Sequence, residues 1–245
     1  DNNRNRELGA ASKVWLYNSL KYLNKATGFH FNYFVGNPYD ILLSLLRNEN
    51  IKGVYWNRCY EPYALKRDKS IKAMLKNNNV TVKTFNGSLV KEPWEVLKDD
   101  NTPYRVFTPF FRKAYLSTDL DTSTEKTPDD INYISNASYN SLDSLNLLSN
   151  MNWENNLLDD WKIGEEAALF KADDFLTNGI LDYKDGRNFP SKSNVSRLSP
   201  HLHFGEISPK RLWTKTLNLE PNKNTFVNVS DVFNSRKRIS ETNTP

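Results

Sequence analysis

The stretch SRLSPHLHFGEISPK, residues 196–210, carries hydroxyl side chains and two Ser-Pro pairs nine positions apart. Ser followed by Pro is typical of a helix start, because the hydroxyl can accept from a free backbone N–H and Pro has no N–H to leave unpaired. The pattern therefore predicts helix N-caps at Ser199 and Ser208, with a helix end at Gly205 between them. Helix N-termini attract anions such as phosphates. Two adjacent helices that are capped for stability alone are the alternative.

The preceding stretch, LDYKDGRNFPSKSNVSRLS, covers residues 181–199 and could direct several polar groups at one ligand. Tyr183 and Arg187 are four positions apart, so they share a face if the segment is helical. A phenol and a guanidinium on one face suit an anionic ligand, and the hydroxyls of Ser196 and Ser199 follow in the loop. These residues predict a phosphate-binding site without either common Gly-rich nucleotide motif. A surface Arg with ordinary loop serines is the alternative.

Two further stretches combine charged and aromatic residues. YWNRCYEPYALKRD, residues 55–68, joins the end of a predicted strand to the start of a helix, at the edge where parallel sheets bind ligands. A plain βα loop followed by a solvated helix is the alternative. In YRVFTPFFRKA, residues 104–114, basic residues alternate with aromatic ones, and their composition favours core packing.

The elements that must position these residues change character along the chain. Strands are predicted at 31–35, 51–56 and 80–85, alternating with helices, which is the pattern of a parallel sheet covered by helices. The chain opens on a helix, so we expect the first strand of such a domain to be missing. Residues 117–152 are rich in Ser, Thr, Asn and Asp and predict a linker. Helical periodicity dominates from 153 onward.

Composition limits the function classes. The 245 residues are 38% hydrophobic and 25% charged, with a net charge of +4, which suits a globular protein and permits a nucleic-acid partner. The single Cys59 excludes an internal disulfide and fits the cytoplasm. No apolar run has membrane-spanning length, and the first residues lack a signal-peptide core. We predict no metal site, with His30, His201 and His203 as structural or surface residues.

The motif DYKDGRNFP…SRLSPHLHFGEISPKRLW resembles the start of the flavin-binding domain of the cryptochrome/photolyase family, in particular the class I cyclobutane pyrimidine dimer photolyases. WNRCYEPYALKRD, VFTPFFRKA and GAASKVWLYNSLKYLN are similar to further blocks of that family, and the resemblance runs from about Leu8 to Leu217. It implies a Rossmann-like α/β domain at 1–116 whose first strand is missing. A linker at 117–152 and the beginning of an all-α FAD-binding domain at 153–245 would follow.

The resemblance also implies roles for individual residues. Arg187 matches a residue that touches DNA, and Val195 falls where the family often has Thr, so one hydroxyl is lost. The residues that match the family's FAD contacts, the last four around the diphosphate, are Tyr183, Ser196, Arg197, Leu198 and Ser199. No catalytic residue is assigned, since the family's catalytic groups are expected beyond position 245.

The implied activity is that of a deoxyribodipyrimidine photo-lyase, in which reduced FAD absorbs blue light and passes an electron to a pyrimidine dimer flipped out of damaged DNA. A second antenna chromophore of folate or deazaflavin type, a monomeric state and a cytoplasmic location are expected. The alternatives are a cryptochrome-type photoreceptor without repair activity, or a remnant that binds no FAD. The resemblance implies truncation at both ends, and we expect the chain as given to repair no DNA and to retain little FAD.

Overall fold

A computed structural model describes residues 8–28, 30–116, 131–133, 141–149 and 152–218. The chain divides into two compact units, the first comprising Asp1–Ser88 with Thr127–Gly164 and the second Leu89–Lys126 with Glu165–Pro245. The predicted domain boundaries at 116 and 152 stay a prediction, because compactness alone does not define an inherited domain. Most of the predicted linker lies outside the described residues.

The helices and strands of the described residues follow one another in an order that is α/β first and helical afterwards. They are α1 (Ala10–Ala26), α2 (Pro38–Asn48), β1 (Gly53–Asn57), α3 (Pro62–Asn77), β2 (Thr81–Phe85), α4 (Phe107–Phe111), α5 (Asn152–Asp160), α6 (Glu165–Asp174), α7 (Tyr183–Gly186), α8 (Ser199–His203) and α9 (Pro209–Leu217). Short π-helical turns extend α4 over Arg112–Leu116 and α6 over Phe175–Gly179. None of these helices is long and apolar enough to span a membrane.

The first unit is built on a β1–α3–β2 crossover. The two strands pair in parallel, from Gly53 opposite Thr81 to Asn57 opposite Phe85. The core beneath them consists of the buried side chains Ile71, Met74, Leu75 and Val80 together with apolar residues of α2 and both strands. The predicted strands at 51–56 and 80–85 and the parallel pairing are confirmed.

The predicted strand at 31–35 is wrong. This segment contributes only an isolated bridge at Tyr33 before the chain turns at Gly36. Phe34 and Val35 remain exposed, the latter by 68%. An apolar run indicates a strand only where a neighbouring strand can pair with its backbone, and the pairing found for this segment is confined to one residue.

The second unit packs its helices around a small core. Ala168 and Ala172 of α6 lie against Leu198 and Ile207, with Leu202 of α8 and Leu212 of α9 around them. The small side chains on α6 allow the chain that precedes α8 to approach closely. The prediction of helical structure beyond 153 is confirmed within the described residues, except for the long loop at 187–198.

The two Ser-Pro pairs behave differently. Ser208 caps α9, since its hydroxyl accepts from the backbone N–H of Arg211 at 3.1 Å, as predicted. Ser199 is already the first residue of α8 and makes no capping bond, so the prediction that it is an N-cap is wrong. The N-cap position is occupied by Leu198, which is buried in the core, so the helix starts one residue earlier than predicted.

The end of α8 is fixed by backbone and side chain together. Gly205 adopts a φ of 74°, and the N–H of Glu206 donates to the carbonyl of His201 at 2.9 Å. This is the backbone pattern in which a left-handed Gly ends a helix, as predicted. Nδ1 of the fully buried His201 also lies 2.5 Å from Oε2 of Glu206. His201 is therefore structural, and the exposed His203 packs edge-on against Phe204 at 4.7 Å, as the sequence predicted.

The two serines provide a matched test of capping. Ser208→Ala removes a side-chain acceptor from α9 and should lower the free energy of unfolding by about 1 kcal/mol. Ser199→Ala, in the same Ser-Pro context, should change it by no more than about 0.5 kcal/mol. Chemical denaturation of both variants measures the difference. An equal loss in the two variants would contradict the assignment of Leu198 to the N-cap position.

Removing one partner of the buried His201–Glu206 pair should lower the free energy of unfolding more than removing a surface charge does. Glu206→Ala leaves a buried imidazole without its carboxylate and should lower the free energy of unfolding by about 3 kcal/mol. Asp99→Ala, at an exposed carboxylate, is the control and should have little effect. Urea titrations followed by circular dichroism give both values, and similar midpoints for the two variants would show that the pair contributes nothing.

Candidate functional site

Tyr183 and Arg187 lie together, as their spacing predicted. Tyr183 is the first residue of α7, and Arg187 follows the last. The guanidinium carbon of Arg187 is 5.7 Å from the centre of the Tyr183 ring, a cation–π distance. Tyr183 also meets Phe175 edge-on, with ring centres 5.7 Å apart. The ring thus contacts both an aromatic side chain and a cation.

The π-helical turn after α6 places Phe175 against Tyr183. Its defining bond runs from the N–H of Ile180 to the carbonyl of Phe175 at 2.8 Å. Gly179 is buried in this turn, and a Cβ there would lie 2.8 Å from the Phe175 ring. The absence of a side chain at Gly179 is therefore what lets the ring lean toward Tyr183. Turns of this kind occur often at functional sites.

Arg187 is less exposed than the DNA-contact role suggested. The side chain is half-buried, and its Nε atom is inaccessible to solvent. Arg187 was expected to face the solvent and contact DNA phosphate, and its partly exposed guanidinium leaves that role a prediction. The remaining exposed part can still donate to an anion.

The loop segment 196–199 presents its side chains alternately inward and outward. Leu198 is 2% exposed and belongs to the core, whereas Arg197 and Ser199 are exposed. The hydroxyl of the half-buried Ser196 accepts from the N–H of Leu198 at 3.4 Å, forming a small turn. Arg197 has a φ of 51°, a left-handed conformation that is uncommon outside Gly and Asn. Such strain occurs often at binding sites.

Lys171 of α6 joins this segment, and no local motif in the sequence pointed to it. Burial and then the nearby charge of Arg197 lower the pKa of the Lys171 ammonium. The carboxylate of Asp174 acts in the opposite direction and raises the pKa, so an acidic group already lies near these two cations. The sequence of α6 places Lys171 beside the buried Ala172, but it does not indicate that Lys171 lies near Arg197.

The anion attraction predicted for the N-terminus of α8 stays a prediction. The helix has five residues, too few to build a substantial macrodipole. The cations Lys171 and Arg197 and the hydroxyl of Ser196 are further groups of this region that can attract an anion.

Side chains of the 55–68 motif form hydrogen bonds between the elements of the first unit. Arg58 follows β1 and donates through Nη1 to the carbonyl of Thr84 in β2 at 2.6 Å and to its hydroxyl at 3.1 Å. Trp56 donates from its indole N–H to the buried Asp68 at 3.0 Å, and Arg67 donates to the same carboxylate at 2.9 Å. These side chains are engaged within the β1–α3–β2 unit. The alternative of a βα loop with structural charges accounts for most of them.

The 104–114 motif is divided between core and surface. Phe111 and Ala114 are buried, in agreement with the predicted core packing. Arg105, Val106 and Phe107 are exposed at the start of α4. The aromatic density of this motif is therefore only partly explained by packing among the described residues.

Comparison with curated proteins identifies two kinds of relative. The chain is 33% identical over 237 residues to the deoxyribodipyrimidine photo-lyase of Agrobacterium fabrum, a match that covers 95% of this chain and 48% of that protein. It is 28% identical over 219 residues to cryptochrome-2 of Arabidopsis thaliana, covering 84% of this chain and 35% of that protein. The chain thus spans less than half the length of these two relatives.

Solved structures agree on the fold. A bacterial class III photolyase from Agrobacterium tumefaciens superposes with a TM-score of 0.76 at 31% identity, covering 94% of this chain and 49% of that one. An archaeal photolyase from Sulfolobus tokodaii, solved with two FAD molecules, gives a TM-score of 0.61 at 20% identity over 88% of this chain and 46% of its own. The predicted fold class, an α/β domain followed by a helical portion, is confirmed.

The sequence model of the DNA photolyase family matches residues 1–129, more than half of the chain. This match covers the β1–α3–β2 unit, and the Agrobacterium likeness extends over the helical part as well. On this basis the chain belongs to the DNA photolyase family.

Proposed function

We propose that this chain is part of a deoxyribodipyrimidine photo-lyase, a blue-light-driven, FAD-dependent enzyme that repairs cyclobutane pyrimidine dimers in DNA. The observation that carries the proposal is that the second unit contains both the Arg187–Tyr183 contact and the neighbouring cations Lys171 and Arg197. The likeness to two Agrobacterium photolyases above 30% identity supports it. The class I assignment is a prediction, and the second of those relatives belongs to class III.

The residues of this chain fit the diphosphate of a dinucleotide cofactor. Lys171 and Arg197 can balance its two negative charges, and the adjacent hydroxyls of Ser196 and Ser199 can donate to its oxygens. When bound, reduced FAD would supply the light-excited electron that splits the cyclobutane ring. The part that this chain plays is to hold and orient that cofactor.

Two of the proposed contacts take a specific form. The side chain of Leu198 lies in the core, so its contribution to a cofactor would come from its backbone groups. Tyr183 packs edge-on against Phe175, and this contact would orient its phenol toward a ligand. A fixed side chain loses little entropy on binding, which favours affinity.

The proposal includes damaged DNA and a second chromophore as partners. The exposed part of the Arg187 guanidinium would contact a DNA phosphate, and the net charge of +4 favours such contacts. A second chromophore of folate or deazaflavin type would serve as an antenna, and the Sulfolobus tokodaii photolyase with two FAD molecules supports a second chromophore in general. A monomer in the cytoplasm completes the proposal.

A cryptochrome-type photoreceptor without repair activity is the second candidate. The observation in its favour is the likeness to Arabidopsis cryptochrome-2 over 84% of this chain. Both candidates require the same cofactor site and differ in the use made of the absorbed light. Repair of a defined lesion therefore separates them, whereas flavin binding alone does not.

Light-dependent repair tests the proposed function directly. The protein as its gene encodes it is purified, its flavin is identified from the visible spectrum, and it is mixed with an oligonucleotide that contains one thymine dimer. We expect a flavin band and loss of the dimer under blue light, with no loss in the dark control. A flavin band without dimer splitting would favour the photoreceptor, and the absence of both would contradict both candidates.

The proposed DNA contact of Arg187 has a distinct signature. Arg187→Ala should weaken binding to duplex DNA and reduce the slope of log affinity against log salt by about 1, because one phosphate contact is lost. Flavin content should stay unchanged. Lys69→Ala, at an exposed residue of α3, is the control and should leave the slope unaltered. Loss of flavin at unchanged DNA affinity would show that Arg187 serves the cofactor instead.

A further inference from the structure

Asn194 occupies the space beside α7 that a side chain at position 186 would need. A Cβ built on Gly186 would overlap Oδ1 and Cγ of Asn194 and would lie 2.5 Å from its Cβ. The amide Nδ2 of Asn194 donates to the carbonyl of Gly179 at 3.4 Å. One side chain in the 187–198 loop therefore contacts two buried glycines that lie on either side of Tyr183.

The backbone of Gly186 does not itself require glycine. Gly186 is the last residue of α7, and its N–H donates to the carbonyl of Asp182 at 2.8 Å. Ala is favoured over Gly in a helical backbone by about 1 kcal/mol. Glycine at this position is therefore explained by the space that Asn194 takes, and not by the helix.

The contact matters because the loop between Arg187 and Leu198 contains no helix or strand. Leu198 fixes one end in the core, and Arg187 fixes the other on Tyr183. Asn194 lies between these ends in the chain, and its contact with Gly186 is a point at which the loop meets α7.

We propose that Asn194 is a positioning residue, which uses the space left by Gly186 to hold the 196–199 segment at a fixed distance from Tyr183. This inference rests on the proposed function for its consequence, which is that the two parts of the cofactor site meet one ligand. Asn194 itself touches no ligand in this scheme. It acts through the loop, by shape against Gly186 and by its hydrogen bond to Gly179.

A double-mutant cycle tests the inference in the protein as its gene encodes it. Gly186→Ala forces a methyl group into Asn194 and should weaken FAD binding by more than about tenfold. Asn194→Ala removes the hydrogen bond and the filling group and should weaken it about three- to tenfold. Combining the two substitutions should bind FAD better than Gly186→Ala alone, because the steric conflict is gone.

The matched control is Asn188→Ala, at an exposed residue of the same loop, which should leave FAD affinity unchanged. Fluorescence titration with FAD measures the affinities, and thermal unfolding is recorded for every variant. If the losses in affinity simply follow the losses in thermal stability, or if the double variant binds no better than Gly186→Ala, the positioning role is overturned.

A second measurement separates this inference from the proposed function. The loop contains tryptic sites after Arg187, Lys192 and Arg197, so cleavage there reports how firmly the loop is held. Each single variant should be cleaved faster than the wild type, and the double variant more slowly than Gly186→Ala. If the wild type binds no FAD, the proposed function fails, while this cleavage order still supports the contact. Equal cleavage in all variants would overturn it.

Discussion

The burial of Leu198 is the constraint on which the second unit depends. Its side chain is 2% exposed and fills the space beside the two small residues of α6, Ala168 and Ala172. Burying a side chain of this size stabilises the fold by roughly 1.5–3 kcal/mol, so moving the adjacent backbone away from the core would cost a similar free energy. Arg197 is turned outward in a left-handed conformation, and α8 begins at Ser199 with Leu198 at its N-cap position. The chemistry of the exposed residues thus follows from an apolar contact.

That contact has an electrostatic consequence. Docking Leu198 on α6 brings Arg197 within the influence of Lys171, and the repulsion adds to burial in lowering the pKa of the ammonium. The carboxylate of Asp174 acts in the opposite direction and raises that pKa. A bound diphosphate, as proposed for the cofactor, would add a favourable interaction with both cations. Apolar packing and the proposed anion binding are therefore linked through one short segment.

The sequence predicted most of the regular structure, because hydrophobic periodicity reflects local burial. The parallel strands, the Ser208 cap, the Gly205 helix end and the structural role of His201 followed from residue type and spacing. The failures at 31–35 and at Ser199 share one cause. A strand needs a neighbouring strand, and the start of α8 depends on the packing of Leu198 against α6; both are tertiary contacts that no local pattern contains. Lys171 was missed for the same reason.

Three glycines in the second unit show how tertiary contacts decide what a residue does. Gly205 is required for its left-handed backbone, since nothing lies near enough to obstruct a side chain there. Gly179 and Gly186 are required for space, which Phe175 and Asn194 respectively occupy. The first kind of glycine can be predicted from a helix-ending pattern, whereas the second becomes intelligible only when the occupying side chain is known. The glycines that flank Tyr183 in the chain, Gly179 and Gly186, are of this second kind. The spacing of the groups around Tyr183 is therefore the part of the site that is hardest to infer from sequence.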